Sequence, residues 1–178
     1  RQLASRSMVF FRSSIAAPVL VAFFFFNDAM ITVTNNYSIF MERIFGVADL
    51  TKSLILLLII ATSALGGIGF GWLGDRIGLL KTLKIILLGW VVFLPLVAFS
   101  PSFPFFVVVS GFIGVLVGSI FSVTRAYLST LLSPGELTYG FSFYTICERF
   151  ATFVGPLTWG LIVSGMGTGA NAYRTAIF

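Results

Sequence analysis

Gly71-Trp72-Leu73-Gly74-Asp75-Arg76-Ile77-Gly78-Leu79-Leu80-Lys81 joins two apolar runs, each long enough to cross a bilayer, and gathers glycines, an acid and bases into one short hydrophilic stretch. A helix that leaves lipid, turns at once and re-enters needs a permissive backbone, which glycine supplies, and charges that hold the turn in water. Asp75 suits the N-terminus of a neighbouring helix, where free N–H groups favour an anion. In a soluble chain the same string would mark an ordinary helix end. The apolar runs on both sides make it the turn of a membrane hairpin.

Composition agrees. Hydrophobic residues make up 58% of the chain and charged residues 10%, against roughly 45–50% and 25% in an ordinary globular domain. With 21 Phe and no His, the chain reads as an all-α membrane protein, because in lipid only helices or closed barrels satisfy every backbone polar group. Barrel-type alternation is absent. Requiring about 20 mostly apolar residues per span predicts helices over Ser14–Ser38, Ser53–Leu73, Leu83–Phe99, Pro104–Thr130 and Thr138–Ser164, with a sixth starting near Ala172 and reaching Phe178. Turn chemistry separates them: Gly46 to Asp49, Gly74 to Gly78, Ser100-Pro101-Ser102, Ser133-Pro134-Gly135 and Gly165 to Asn171. No soluble domain intervenes. Residues 1–178 are read as one transmembrane unit, a fragment whose last span is truncated and whose first residue is not Met.

The bases set the orientation. With the N-terminus in the cytoplasm, Arg1, Arg6, Arg12, Arg76, Lys81, Lys84 and Arg125 fall inside, Arg43 and Lys52 outside, and Arg174 just enters the last span; bases concentrate on the cytoplasmic side of membrane proteins. The net charge of +5 therefore reports topology and contact with lipid headgroups, not nucleic acid. A signal peptide is disfavoured, since Asn27-Asp28 interrupts the first apolar run and further spans follow.

Small residues explain how the helices meet. Ser63, Gly67 and Gly71 form one stripe, and Gly111, Gly114, Gly118 and Ser122 another, both letting backbones approach where lipid provides no hydrophobic drive. Cys147 stands alone, so no internal disulfide or cysteine metal cluster is available, and no cofactor is implied. Gly67-Ile68-Gly69-Phe70-Gly71 lies in an apolar helix without a preceding strand and is not a phosphate loop.

Charges within spans are the functional candidates. A carboxylate or guanidinium near mid-bilayer costs at least about 2.5–3.5 kcal/mol, so each needs a partner, a cavity or a role. Asp28, Glu148 and Arg149 lie well inside spans; Arg125 lies near the inner end of its helix, where snorkelling to the headgroups is the plain alternative. Asp28, Thr32 and Asn35 share one face of the first helix, and Tyr144, Glu148 and Thr152 one face of the fifth. Glu148 and Arg149 diverge by about 100° and must look to other elements; Asp28 is the expected partner of Arg149. Pro156 frees the Thr152 carbonyl and kinks the fifth helix after Gly155.

The glycine-rich turn resembles the cytoplasmic loop signature of the major facilitator superfamily. The strings Phe23-Phe24-Phe25-Phe26-Asn27-Asp28-Ala29-Met30, Ser122-Val123-Thr124-Arg125-Ala126-Tyr127 leading to Ser133-Pro134, and Tyr139-Gly140-Phe141-Ser142-Phe143-Tyr144 running into Gly155-Pro156-Leu157 resemble the C-terminal half of its vacuolar effluxer-like, autophagy-related branch. That resemblance implies a six-helix half of a secondary transporter, with third and sixth helices facing lipid; beyond Lys84 at its edge, the third span indeed carries no ionisable residue. It implies a missing N-terminal half, a small-molecule substrate such as an amino acid, a gating loop built on Gly71, Asp75, Arg76 and Gly78, and matching positions at Asn27, Asp28 and Arg125. From the carboxylates within the spans, protons are one candidate coupling ion, through Asp28 or Glu148; the coupling ion, the substrate and the direction stay open. The membrane would be a bacterial inner membrane or a fungal vacuolar one. Leu79-Leu80 departs from the motif, which usually has bases there; Lys81 and Lys84 stand in.

Two other classes share these features. A non-transporting assembly or receptor subunit would keep the fold. A membrane-embedded enzyme would need a catalytic constellation, and without His neither Ser-His nor Cys-His dyads exist; the expectation is no enzyme.

The orientation has a direct check: single cysteines at Gly78 and Gly135, in a Cys147→Ser background, are expected to react with impermeant thiol reagents only from the cytoplasmic side. Labelling of both from outside reverses the topology.

Overall fold

The computed structural model describes residues 16–167 and 169–177. Arg1, Arg6 and Arg12, the expected helix start at Ser14, and Phe178 lie outside the described residues. The described chain is helical: α1 Ala16–Phe45, α2 Asp49–Ile77, α3 Leu79–Ala98, α4 Phe103–Leu131, α5 Leu137–Gly165 and α6 Ala170–Ile177. The first five are long and apolar enough to span a membrane, so the chain is an integral, multi-pass membrane protein.

α1 runs past its expected C-terminal end and α2 past both of its expected ends, while α3 starts early at Leu79 and stops at Ala98, and α4 and α5 exceed their expected bounds by one residue at each end. α1 continues beyond Ser38 because Phe40 and Met41 are buried and Phe45 packs against Phe103 and Phe106. α2 begins four residues before Ser53 because Lys52 is neutralised there, at 2.8 Å from Glu42 and 2.6 Å from Asp49. At its other end α2 absorbs most of the glycine-rich motif, so Gly74, Asp75 and Arg76 form its last turn rather than a loop. The reversal is carried by Gly78 alone, with φ +92°, a conformation that side chains rarely adopt. Its N–H bonds the Gly74 carbonyl at 3.0 Å, and Thr82 Oγ1 returns to the Gly78 carbonyl at 3.1 Å. A cysteine at Gly78 would strain this turn, and exposed Leu80 reports the same side without that cost.

The two small-residue stripes face each other. A β-carbon on Gly66 would run into the Val115 backbone, one on Gly118 into the Ser63 carbonyl, and one on Gly114 into Thr62 and Ile59; Gly67 faces Gly118 at 3.6 Å. Gly111 meets nothing and stands outside this seam. α2 therefore grips α4 through a narrow strip and leaves Leu54, Leu57, Ile60, Leu65 and Ile68 exposed, as a helix in lipid can. α1 pairs with α5, and the Gly155 position lies directly against Thr32 and the Asp28 carbonyl. α3 lies against α4, with Phe93 stacked on Phe112 at 5.0 Å and Leu116 filling the space beside Gly89.

Polar bonds close the two ends. Ser110 donates to the Phe106 carbonyl at 2.7 Å, so its single hydrogen is used and Tyr37 O–H donates to Ser110 Oγ at 2.6 Å, tying α1 to α4. Arg174, expected just inside a span, instead donates to the Ala98 carbonyl at 2.7 Å and covers the end of α3. In the α4–α5 connection, the Ser133 hydroxyl and N–H donate to Glu136 Oε2 at 2.7 and 3.1 Å. These bonds, the hydroxyl first, hold the Glu136 carboxyl below its usual value. Their contribution is present at neutral pH and fades as pH falls through that lowered value.

Candidate functional site

Charged and aromatic side chains from three helices meet at one place. Arg125 of α4 and Glu148 of α5 approach to 3.3 Å, with side chains 53% and 25% exposed. The guanidinium lies 5.2 Å from the centroid of the Tyr144 ring and 6.0 Å from that of Phe121. Tyr144 stacks on Phe23 of α1 at 4.2 Å. A layered arrangement of cation, phenol and phenyl ring thus crosses from α4 through α5 to α1, an attractive placement of charge over π faces. Arg125 turns towards an acid on the next helix instead of standing alone at the headgroups. The pair is long and open, so either charge is available to a solute.

Asp28 behaves differently from expectation. Its Oδ1 accepts the Gly155 N–H at 2.8 Å, and the Thr32 hydroxyl donates to the Asp28 carbonyl at 2.7 Å. Pro156 removes an N–H from the α5 ladder and crowds the preceding turn, and it is from that turn that Gly155 donates outwards. Arg149, the expected partner of Asp28, is exposed and makes no ion pair among the described residues. The expected Asp28–Arg149 pair is therefore replaced by a carboxylate-to-backbone bond, which no side-chain spacing reveals. Thr32 is buried in the α1–α5 contact, whereas Asn35 and Thr152 are exposed, with Thr152 Oγ1 bonded to the Arg149 carbonyl at 2.6 Å.

Asn27 is fully buried, and neither atom of its amide has a partner among the described residues; Thr124 Oγ1 shares that condition, whereas the Tyr144 hydroxyl has the Arg125 guanidinium beside it. Thr124 was not singled out by sequence, although its place next to Arg125 was a signal. The Tyr37–Ser110 bond and the Glu42–Lys52–Asp49 cluster were equally unannounced.

In the glycine-rich turn, Gly74 is buried against Leu79 while Asp75, Arg76 and Gly78 are exposed and Gly71 is half-buried. Arg76 lies 3.9 Å over the Trp72 ring. Asp75 has no hydrogen bond or ion pair among the described residues, and α3 starts without a side-chain cap, so the expected capping of this neighbouring helix does not occur.

Five apolar helices of membrane length, two of them joined by an open ion pair, define a polytopic membrane protein. The chain belongs to the Major Facilitator Superfamily, whose family model matches residues 19–178. Neither the curated proteins nor the solved structures yield a match to the chain. The family assignment makes it a membrane transport protein acting on a small molecule. It reaches the superfamily as a whole, and the vacuolar effluxer-like branch has no such support.

Asp28 offers a clean test. Asp28→Leu leaves the Gly155 N–H unpaired and is expected to destabilise the detergent-solubilised protein by about 1–3 kcal/mol, whereas Asp28→Asn keeps an acceptor and costs less. Equal melting temperatures for the two variants would remove the bond from the fold's support.

Proposed function

We propose that the chain is the C-terminal half of a secondary active transporter that moves a small zwitterionic solute, an amino acid, by alternating access. A second six-helix half completes the cavity. The observation that carries this reading is the half-open Arg125–Glu148 pair at 3.3 Å: one cation and one anion side by side complement the carboxylate and ammonium of an amino acid. The resemblance of the Asn27-Asp28 and Arg125 segments to the vacuolar effluxer-like branch supports the same solute class. Exposed Arg149, Asn35 and Thr152 extend the wall into the space that the second half would enclose, since such groups are disfavoured against lipid. A receptor-like subunit has no use for an ion pair kept open.

Glu148 is the coupling residue in this reading. A solute carboxylate and the Glu148 carboxylate compete for Arg125, so solute binding and protonation of Glu148 are linked. Proton release on one side and uptake on the other then follow the rocking of the two halves. The exposed Asp75 and Arg76 turn is the latch that closes the cytoplasmic face against the second half.

In proteoliposomes, Glu148→Gln is expected to abolish accumulation of amino acid against a gradient while preserving counterflow exchange, which needs binding and rocking but no net proton transfer. Accumulation with unchanged pH dependence removes the coupling role. If exchange and accumulation fall together with stability, Glu148 merely holds Arg125. Asp75→Ala in the same assay is expected to insert normally and transport several-fold more slowly; wild-type rates would dispose of the latch.

A further inference from the structure

We propose that the cavity between α1, α3 and α4 holds one anionic glycerophospholipid, its phosphate on Lys84 and one acyl chain laid along α1 and α3. This site is separate from the proposed solute site and does not depend on it: neither Arg125 nor Glu148 lines the cavity. Its volume is about 350 Å³, within the range of small-molecule sites. The lining runs from Pro18 to Phe26, from Leu80 to Leu87 and from Ile120 to Tyr127, a height of about 10–12 Å at the helical rise. A second cavity, of about 220 Å³, shares Phe26 and Leu87 with the first and reaches Val33 and Leu94 between α1 and α3. The two together make a groove along the helices, which is the direction of a lipid in a bilayer.

The groove is polar at one end only. Lys84, Thr124 and Tyr127 line the first cavity, whereas the Trp90 indole is the one polar group lining the second. Lys84 is exposed, lies about 8 Å from the start of α3, and makes no ion pair among the described residues. Exposed Lys81 stands one turn away on the same face of α3. A lysine at that depth carries its ammonium to the headgroups, and basic pockets between spanning helices take anionic headgroups. Thr124 is 3% exposed, and its hydroxyl has no partner among the described residues. On the same helix Ser110 and Ser119 return to the Phe106 and Val115 carbonyls. Buried donors are nearly always bonded, and a lipid ester carbonyl, which only accepts, brings the acceptor that Thr124 lacks. Deeper in, Phe26, Leu87 and Ile120 suit an acyl chain. Phosphate, ester and chain thus meet base, hydroxyl and apolar wall. A soluble anion would leave the apolar length unfilled, and a zwitterionic lipid offers Lys84 a phosphate already balanced by its own cation.

The experiment is thermal unfolding of the purified, delipidated full-length protein, titrated with phosphatidylglycerol, with phosphatidylcholine of the same chains, or with inorganic phosphate. The variants are Lys84→Gln, Thr124→Val and Ala22→Phe; Lys84 and Ala22 are exposed, and Ala22 lines the cavity, so that Ala22→Phe fills it without disturbing the core. Wild type is expected to be stabilised saturably by phosphatidylglycerol, to retain one such lipid per chain in native mass spectrometry, and to ignore inorganic phosphate. Phosphatidylcholine is expected to act about fivefold more weakly, the worth of one lysine beside an anionic headgroup. Lys84→Gln is expected to remove that preference, Thr124→Val to weaken both lipids, and Ala22→Phe to abolish the saturable response. The proposal is overturned if Lys84→Gln or Ala22→Phe keeps the wild-type response, which would put the lipid around the protein instead of in the cavity. Unchanged affinities in Thr124→Val, or equal action of the two lipids on wild type, overturn it as well. Stabilisation by inorganic phosphate alone shows an anion site without a chain, and no retained lipid shows that another part of the protein covers the groove; both overturn it. The solute reading is decided separately, by the counterflow measurement.

Discussion

Lipid offers no hydrogen bonds, and that one property of the solvent organises the molecule. Each polar group at membrane depth must find a partner within the protein or face a water-filled space. Hydroxyls fold back on their own helices, Tyr37 meets Ser110, and the loosened turn at Pro156 gives its N–H to Asp28. Because tails are as apolar as leucine, association comes from close backbone contact instead, and the α2–α4 seam places glycines where any β-carbon would collide with backbone. The broad apolar faces of α2 and α3 need no cover of their own.

A few groups break that rule, and the proposed function draws on them. Arg125 and Glu148 satisfy each other only loosely, Arg149 is exposed, and Asn27 and Thr124 are sealed without partners. Elsewhere the same chain satisfies comparable groups within a single turn. They lie on α1, α4 and α5, the helices that the proposed function places around the solute.

How much of this was legible in the sequence depended on range. Apolar length and turn chemistry are local, so five spans and their connections could be read, and the glycine stripes in part: Gly114 and Gly118 lie in the seam, Gly111 stands outside it, and Gly66, which the spacing did not pick out, lies against the Val115 backbone. Boundaries erred because tertiary partners set them: α2 starts at Asp49 only since Glu42 reaches Lys52 from another helix. The glycine-rich string reads as a loop because glycines and charges are loop-like, yet helical bonding persists to Ile77 and a single positive φ at Gly78 suffices for the reversal. Asp28 was recognisable as a charge within a span, but its partner is a main-chain N–H, which carries no sequence signal. The expected Arg149 pairing followed from counting side chains only.

The helices form two tightly joined pairs, and the charged site bridges them. α2 and α4 are locked by the glycine seam; α1 and α5 are locked where Gly155 lies against Thr32 and Asp28. Between the pairs, α1 and α4 are pinned by Tyr37–Ser110 towards one end, while Arg125–Glu148 joins α4 to α5 towards the other. The first link is 2.6 Å and buried; the second is 3.3 Å and open. Packed seams resist deformation, so a displacement of one pair against the other is taken up at the weaker link. Any such movement would change the spacing of the two charges and the access of water to Glu148 together. In the proposed cycle, a solute bound between the two charges would act back on the same coordinate.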